Sequence, residues 1–320
     1  MIEARPWLFF LLRCVIAFGL IYLIFHQFEP ENLTNLMASA NLRWLIPAFV
    51  AQLTSSLVAA IRWQMLMRPL GFDAGTSFYQ ASYLKAILFN QGLPSSIGGD
   101  AMRVLDVVRL GYRKRESIAA ILLDRVFGVS GLLLLALAAA NLMPHAFSAR
   151  FVLVVNLICG GALLAIVVLA VGGALPWLRN LPLRRIALLE PAWIVSDYLR
   201  GVLLAPGRLI RQLLLALITH TGVVLAFIAI GEALGMQIGL AVYFAFVPPL
   251  MLFALIPLSL AGWGLRETGA VTMLALVGVP AAESFAMSVS YGLILIATAA
   301  PGLVIYLAQG AVNRKPGKKN

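Results

Sequence analysis

Apolar runs long enough to cross a bilayer are the feature that most constrains this chain. A helical span needs about 20 apolar residues, and six segments qualify, at about 7–26, 44–67, 117–143, 151–175, 209–233 and 284–308. Two shorter apolar stretches, about 77–94 and 240–260, each run into a segment rich in proline and glycine. Of the 320 residues, 62% are hydrophobic and 12% are charged, which excludes a soluble enzyme and a disordered chain. The sequence therefore predicts an all-α polytopic membrane protein.

The two shorter stretches decide between two architectures. If they are re-entrant helical hairpins, which turn and leave on the side they entered, the chain has about six full spans; otherwise it has eight plain spans. Re-entry places Arg5, Arg68, both large basic loops and the basic tail on one side, whereas eight spans divide them between two sides. Because basic residues collect in the cytoplasm, we favour re-entry, with both termini cytoplasmic.

The same two stretches begin an internal repeat. Four pairs of residues fall in register: Pro94 with Pro257, Ser96 with Ser259, Gly99 with Gly262, and Arg103 with Arg266. Each unit, about 77–143 and 240–308, then consists of an apolar arm, a turn, an arginine-bearing arm and a full span. In the re-entrant topology the units enter from opposite sides, so the repeat is inverted, as in many transporters.

These units belong to a single predicted domain, 1–313, which is followed by a basic cytoplasmic tail at 314–320. Between the units, the segment at about 177–208 carries apolar residues at helical spacing among basic ones. That pattern is typical of an amphipathic helix lying on the cytoplasmic leaflet.

Each turn of the repeat is predicted to form an anion site. Pro94 ends a helix, Gly98 and Gly99 leave the turn free of side chains, and the next helix begins near Asp100 with its free N–H groups facing the turn. Arg103, one turn further on, can add a bidentate contact. The second unit repeats the pattern with Pro257, Ser259, Gly262 and Arg266. The alternative is a tight turn at the interface whose arginine reaches a headgroup.

Five further charges fall inside or beside apolar segments, where ionisable groups usually face a cavity or one another: Arg62, Lys85, Asp124, Arg125 and Glu267. Neighbouring residues on a helix point in different directions, so Asp124 and Arg125 need separate partners. Arg103 or Arg266 is the candidate partner of Asp124, and Glu267 is that of Arg125. The alternative is a set of ordinary structural ion pairs.

Three other polar residues are given structural roles. Asp106 and Arg109 continue a charged stripe on one helix face, which indicates a solvated or interfacial surface. His220 lies inside a span, and we interpret it as a hydrogen-bonded interior residue.

The combined motifs resemble a known family. The stretch from Asn90 to Arg103, the pair Asp124–Arg125 and the run from Leu260 to Glu267 are similar to the lysylphosphatidylglycerol synthase transmembrane family, the flippase-like domain of bacterial multiple peptide resistance factors. The resemblance covers nearly the whole chain and implies a role in moving lipids between leaflets. In the resistance factors a separate C-terminal domain transfers lysine to phosphatidylglycerol. We expect this chain to lack that domain, and therefore not to be a lysyltransferase.

The predicted function is an inner-membrane lipid transporter for an anionic, phosphate-bearing or aminoacylated lipid. Its expected partners are anionic phospholipids or polyprenyl phosphates and a separately encoded lipid-synthesis enzyme; no nucleic acid, cofactor, metal ion or catalytic residue is expected. The predicted substrate-binding residues are Asn90, Pro94, Ser96, Gly98, Gly99, Asp100, Arg103, Pro257, Ser259, Gly262 and Arg266. The predicted cavity or gating charges are Arg62, Lys85, Asp124, Arg125 and Glu267.

Two other classes of function stay open at this point. One is an integral membrane enzyme of lipid-headgroup, isoprenoid or hopanoid-lipid metabolism, for which Asp100, Asp124 or Glu267 would be the general base. The other is a scaffold subunit for such an enzyme.

Overall fold

The computed structural model describes residues 22, 35–92, 97–143, 147–172, 190–255 and 262–313. These residues contain no β-strand, which confirms the predicted all-α class. Their longer helices are α1 (Leu45–Met67), α2 (Thr76–Gly92), α3 (Ile97–Arg109), α4 (Lys114–Leu142), α5 (Ala149–Gly172), α6 (Glu190–Leu203), α7 (Pro206–Ala233), α8 (Leu240–Ala254), α9 (Leu265–Ala275) and α10 (Ala281–Asn313). The first predicted span, the basic tail, Pro94, Ser96, Pro257 and Ser259 lie outside the described residues, apart from Tyr22 in that span.

Five of the described helices are long and apolar enough to cross a membrane. They are α1 with its flanking turns, α4, α5, α7 and α10, and they coincide with the other five predicted spans. Leu157 and Leu164 of α5 are more than half exposed, as expected for a helix whose outer face meets lipid. The chain is therefore a multi-pass membrane protein.

Two pairs of shorter helices occupy the proline-rich stretches. In the first pair α2 packs against α3, and in the second α8 packs against α9. The 15 residues of α8 rise only about 22 Å, less than the roughly 30 Å of a hydrocarbon core. This short length favours a hairpin arm over a plain span for α8, and the re-entrant topology of both stretches stays a prediction.

The junctions that follow the two pairs share local detail. Gly111 and Gly278 both adopt positive φ, 91° and 78°, just before the long helices α4 and α10. Within those helices Ser117 and Ser284 are fully buried, and each donates its hydroxyl to the carbonyl four residues earlier. Both pairs are 167 residues apart in the sequence, and the internal repeat and the inverted relation of its units stay predictions.

Small residues bring the central helices close together. A Cβ atom added at Gly131 of α4 would lie 2.7 Å from Ala216 Cβ of α7, and one at Gly222 of α7 would lie 3.0 Å from Ser55 Cβ of α1. Such close approach is typical of helix packing within membranes. As a result α1, α4 and α7 form one unit, against which α2 and α8 pack.

The predicted amphipathic segment contains helix α6. Residues 177–189 lie outside the described residues, and α6 covers Glu190–Leu203. Val195 and Leu199 on its apolar face are buried in a cluster with Leu123 and Phe127 of α4, and its place on the cytoplasmic leaflet stays a prediction. The segment also ends before residue 208, because Pro206 starts α7.

Candidate functional site

A cavity of about 320 Å³ lies among α1, α2, α3, α4, α7 and α8. All the charged side chains on its wall come from three helices: Arg62, Asp100, Arg103, Asp124 and Arg125. The remaining wall is part polar, with residues such as Gln52 and His220, and part apolar, with residues such as Leu132 and Met251. The volume is at the small end of the range for ligand pockets, so it suits a headgroup and not a whole lipid.

Asp124 is the centre of the charged network on this wall. Its Oδ1 atom lies 2.9 Å from Arg62 Nη2, and its Oδ2 atom lies 2.7 Å from Arg103 Nη2. The Arg103 guanidinium also stacks over the Trp63 and Tyr83 rings, at 4.2 and 5.0 Å from their centroids. The pairing of Asp124 with Arg103, one of its two predicted partners, is therefore confirmed.

Asp100 joins the network from the first turn of α3. It accepts a hydrogen bond from Arg125 Nε and lies 3.4 Å from Arg103 Nη1. Asp124 and Arg125 thus have separate partners, as predicted, but Arg125 meets Asp100 and not Glu267. Among the described residues the network contains three arginines and two aspartates, one more positive than negative side chain.

Two guanidinium donors of the network are buried without a partner among the described residues. These atoms are Arg62 Nη1 and Arg103 Nε. A buried donor with no acceptor costs about 1–3 kcal/mol. Together with the excess positive charge, they make this wall favourable for an anion that can accept hydrogen bonds.

The start of α3 differs from the predicted turn. The helix begins at Ile97 and not near Asp100, so Gly98 and Gly99 lie in its first turn. A Cβ atom at Gly99 would meet Ala86 O at 2.5 Å, and the Gly99 N–H donates to Asn90 Oδ1 at 2.8 Å. Gly99 is thus required for close packing, and Asn90 occupies one of the N–H groups predicted to bind the anion.

The described residues of the second predicted site, Gly262 and Arg266, do not line the cavity. Arg266 and Glu267 are 2% and 0% exposed, and Glu267 Oε1 accepts from Arg266 Nη2 at 2.6 Å and from Ser288 Oγ at 3.0 Å. Glu267 Oε2 accepts from the N–H of Gly264, which, like Gly262, has positive φ. Glu267 is therefore engaged by its own turn, which is why its predicted pairing with Arg125 is wrong.

Lys85 also lies away from the cavity. Its Nζ is 2.8 Å from Asp106 Oδ2 and 2.8 Å from Gln309 Oε1, so it ties α2 to α3 and α10. This contact buries Asp106 to 5% exposure, and its predicted solvated position is wrong. Arg109, one turn further, is exposed as predicted.

Sequence reasoning missed several polar wall residues. One face of α1 is polar and carries Gln52, Ser55 and Ser56. Their helical spacing could have indicated a cavity beside an apolar span. Gln52 Oε1 accepts from Tyr291 OH at 3.0 Å, and Tyr291 lies beneath the Arg266 guanidinium. Gln52 of α1 and Tyr291 of α10 thus connect the cavity wall to Arg266 of the second predicted site.

The comparison with known proteins agrees with this architecture. No curated protein is significantly similar in sequence. The sequence model of the family described as the lysylphosphatidylglycerol synthase TM region matches residues 10–302, which include every described residue of the cavity wall. Such a family is consistent with a membrane role related to lipids. The chain therefore belongs to the lysylphosphatidylglycerol synthase TM-region family.

Proposed function

We propose that this protein moves an anionic, phosphate-bearing or aminoacylated lipid between the leaflets of a bacterial inner membrane. The observation that carries this function is the charged network around Asp124, which faces a cavity of headgroup size and has one excess positive charge. Membrane lipids are thus the proposed ligands, and a separately encoded lipid-synthesis enzyme is the proposed source of the cargo.

Arg103 is the residue best placed to bind a phosphate. Its Nε atom has no partner among the described residues, and its contact with Asp100, 3.4 Å, is the longest in the network, so Arg103 can bind a ligand while it keeps its 2.7 Å bond to Asp124. Asp124 also stays paired with Arg62 at 2.9 Å, so it is not left as a lone buried charge. Phosphate oxygens can accept two parallel bonds from one guanidinium.

One arginine cluster surrounds Arg103 and the other surrounds Arg266, and only the first lines the cavity. This difference supports an alternating-access mechanism. Arg103 lies on the cavity wall, whereas Arg266 is sealed with Glu267 and Ser288. We propose that the Arg266 cluster has the same role in the second repeat unit as the Arg103 cluster has in the first. The Arg266 cluster would then become accessible when the cavity faces the other leaflet. The contact between Gln52 and Tyr291 would then link the two clusters.

An enzymatic function is less well supported, because each candidate general base is held by an arginine. Asp100 meets Arg125, and Asp124 meets Arg62 and Arg103. Glu267 is paired with its neighbour, Arg266. A carboxylate held in this way is a poor proton acceptor, since the nearby positive charge stabilises its ionised form.

Lipid translocation in proteoliposomes tests the function. We would compare the wild-type protein with Arg103→Ala, and with Arg109→Ala as a matched control, since Arg109 is exposed on the same helix. We expect at least about a tenfold loss of translocation for Arg103→Ala, corresponding to one charge-assisted contact of about 1.4 kcal/mol or more, and no change for Arg109→Ala. Recovery of chemically altered lipid would instead favour the enzyme, and equal rates for all three proteins would remove Arg103 from the site.

A further inference from the structure

His220 presents an unused hydrogen-bond acceptor at the cavity wall. Its ring lies on α7, and its Nε2 atom is 2.9 Å from the carbonyl oxygen of Gly128 on α4. Its other ring nitrogen, Nδ1, is buried and has no partner among the described residues. His220 therefore differs from the arginines beside it, which leave donors unpaired.

The chemistry of the Gly128 contact fixes the tautomer. A carbonyl oxygen can only accept, so Nε2 must carry the proton, and a neutral ring then has a lone pair on Nδ1. The ring also packs closely against α4, since a Cβ atom added at Gly131 would lie 3.0 Å from its Cδ2 atom. The bond to Gly128 thus sets which ring nitrogen is the acceptor.

Hydroxyl groups around His220 do not serve this acceptor. Ser55 donates to Thr219 O at 2.8 Å, Ser56 donates to Gln52 O at 2.9 Å, and Thr219 donates to Leu215 O at 2.8 Å. Each of these bonds ends on a backbone carbonyl. Nδ1 is therefore without a donor among the described residues, and we infer that a ligand in the cavity lined by His220 supplies one.

We propose that His220 selects lipids whose phosphodiester headgroup also carries a hydrogen-bond donor, such as a hydroxyl or an ammonium group. This selection rests on the proposed function, because the arginines bind the phosphate while His220 accepts from the donor beside it. Within the described part of the chain, the wall has two donors without a partner, Arg62 Nη1 and Arg103 Nε, and one acceptor without a partner, His220 Nδ1. A bare phosphate satisfies only the donors.

Two lipids that differ only in the donor provide the test. Phosphatidylglycerol and phosphatidylmethanol with the same acyl chains each have one phosphodiester charge, but only the first has headgroup hydroxyls. Their affinities would be measured by titration of the purified full chain in neutral phosphatidylcholine nanodiscs. We expect wild-type protein to prefer phosphatidylglycerol by about 3–10-fold, the range for one net hydrogen bond.

His220→Phe keeps a ring of similar size but removes the acceptor, and it should bind both lipids equally, at the wild-type affinity for phosphatidylmethanol. Thr221→Val is the matched control, because Thr221 lines a separate groove between α1 and α7 and should leave the preference unchanged. Equal wild-type affinities, or a preference that survives in His220→Phe, would overturn the role of His220.

The remaining outcomes separate this role from the proposed function. If wild-type protein binds neither lipid, the lipid site itself is wrong. If soluble glycerophosphoglycerol binds as tightly as the lipid, the cavity serves a water-soluble phosphodiester and the transport function is wrong. If His220→Phe does not fold, His220→Leu, which also removes the acceptor, replaces it, and equal wild-type affinities still overturn the role of His220.

Discussion

Arg103 and Asp124, which are 21 residues apart in the chain, meet through a 2.7 Å hydrogen bond on the cavity wall. The bond joins α3 to the membrane-spanning helix α4, and both side chains are 5% or less exposed. Because Arg62 binds the other oxygen of the same carboxylate, one aspartate balances two buried arginines. The position of α3 relative to α1 and α4 therefore depends on Asp124.

Replacement of this carboxylate should strongly destabilise the protein. Asp124→Asn removes the counter-charge of two buried guanidinium groups, and loss of one member of a buried ion pair costs about 3–5 kcal/mol. We expect a large fall in the thermal unfolding temperature in detergent. Glu116→Gln is the control, because the Glu116–Arg113 pair spans 3.6 Å at the surface and should contribute less than about 1 kcal/mol. Similar shifts for the two variants would contradict this role of Asp124.

The Lys85–Asp106 pair should affect stability but not ligand affinity. Either single change, Lys85→Met or Asp106→Leu, leaves the other charge buried, whereas the double variant removes both charges. A double-mutant cycle should therefore give a coupling energy of about 0.5–3 kcal/mol. Since neither residue lines the cavity, the double variant should bind phosphatidylglycerol like the wild type. A loss of affinity would place Lys85 in the site after all.

Gly99 should not tolerate a side chain. In Gly99→Ala the new methyl group would lie 2.5 Å from Ala86 O, so α3 must move away from α2. We expect about 1–3 kcal/mol of destabilisation from this overpacking, measured by thermal unfolding. Gly160→Ala is the matched control in α5, where nothing lies within 4 Å of the added atom and alanine favours the helix. Equal effects would mean that the helices are less closely packed.

The spans could be predicted from the sequence because apolar length is a local property of the chain. The partner of Asp124 could be narrowed to two arginines because a buried carboxylate needs a positive neighbour. The choice of Arg103 over Arg266 depends on how α3 packs against α4, which no local pattern encodes. The polar face of α1 could have been predicted from the spacing of its polar residues. The cavity that this face lines could not, because it forms only where α4 and α7 pack beside α1.

Other parts of the site could not be predicted because backbone groups compete for side chains. Glu267 was predicted to pair with Arg125, yet it accepts from Gly264 N–H and from Arg266. Asn90 belonged to the matched motif, yet its contact with Gly99 depends on the angle between α2 and α3. In both cases the capping of a helix start determines where the polar side chain goes.

The topology can be settled by the labelling of single cysteines. Arg68 follows α1 and Arg109 ends α3, and both are exposed. If α2 and α3 form a re-entrant hairpin, the two positions lie on the same side of the membrane; if the first stretch is a plain span, they lie on opposite sides. We expect Arg68→Cys and Arg109→Cys, each without Cys14 and Cys159, to react with a membrane-impermeant maleimide from the same side.

Arg208→Cys provides the internal reference for this experiment. Arg208 is exposed near the start of α7, and both topologies place it on the same side as Arg109. Agreement between these two positions in oriented vesicles therefore verifies the assay, and only the side of Arg68 distinguishes the topologies. Labelling of Arg68→Cys from the opposite side would mean that the first proline-rich stretch crosses the membrane. The two arginine clusters would then not lie in oppositely directed hairpins, and transport by exchange of inverted repeats would lose its structural basis.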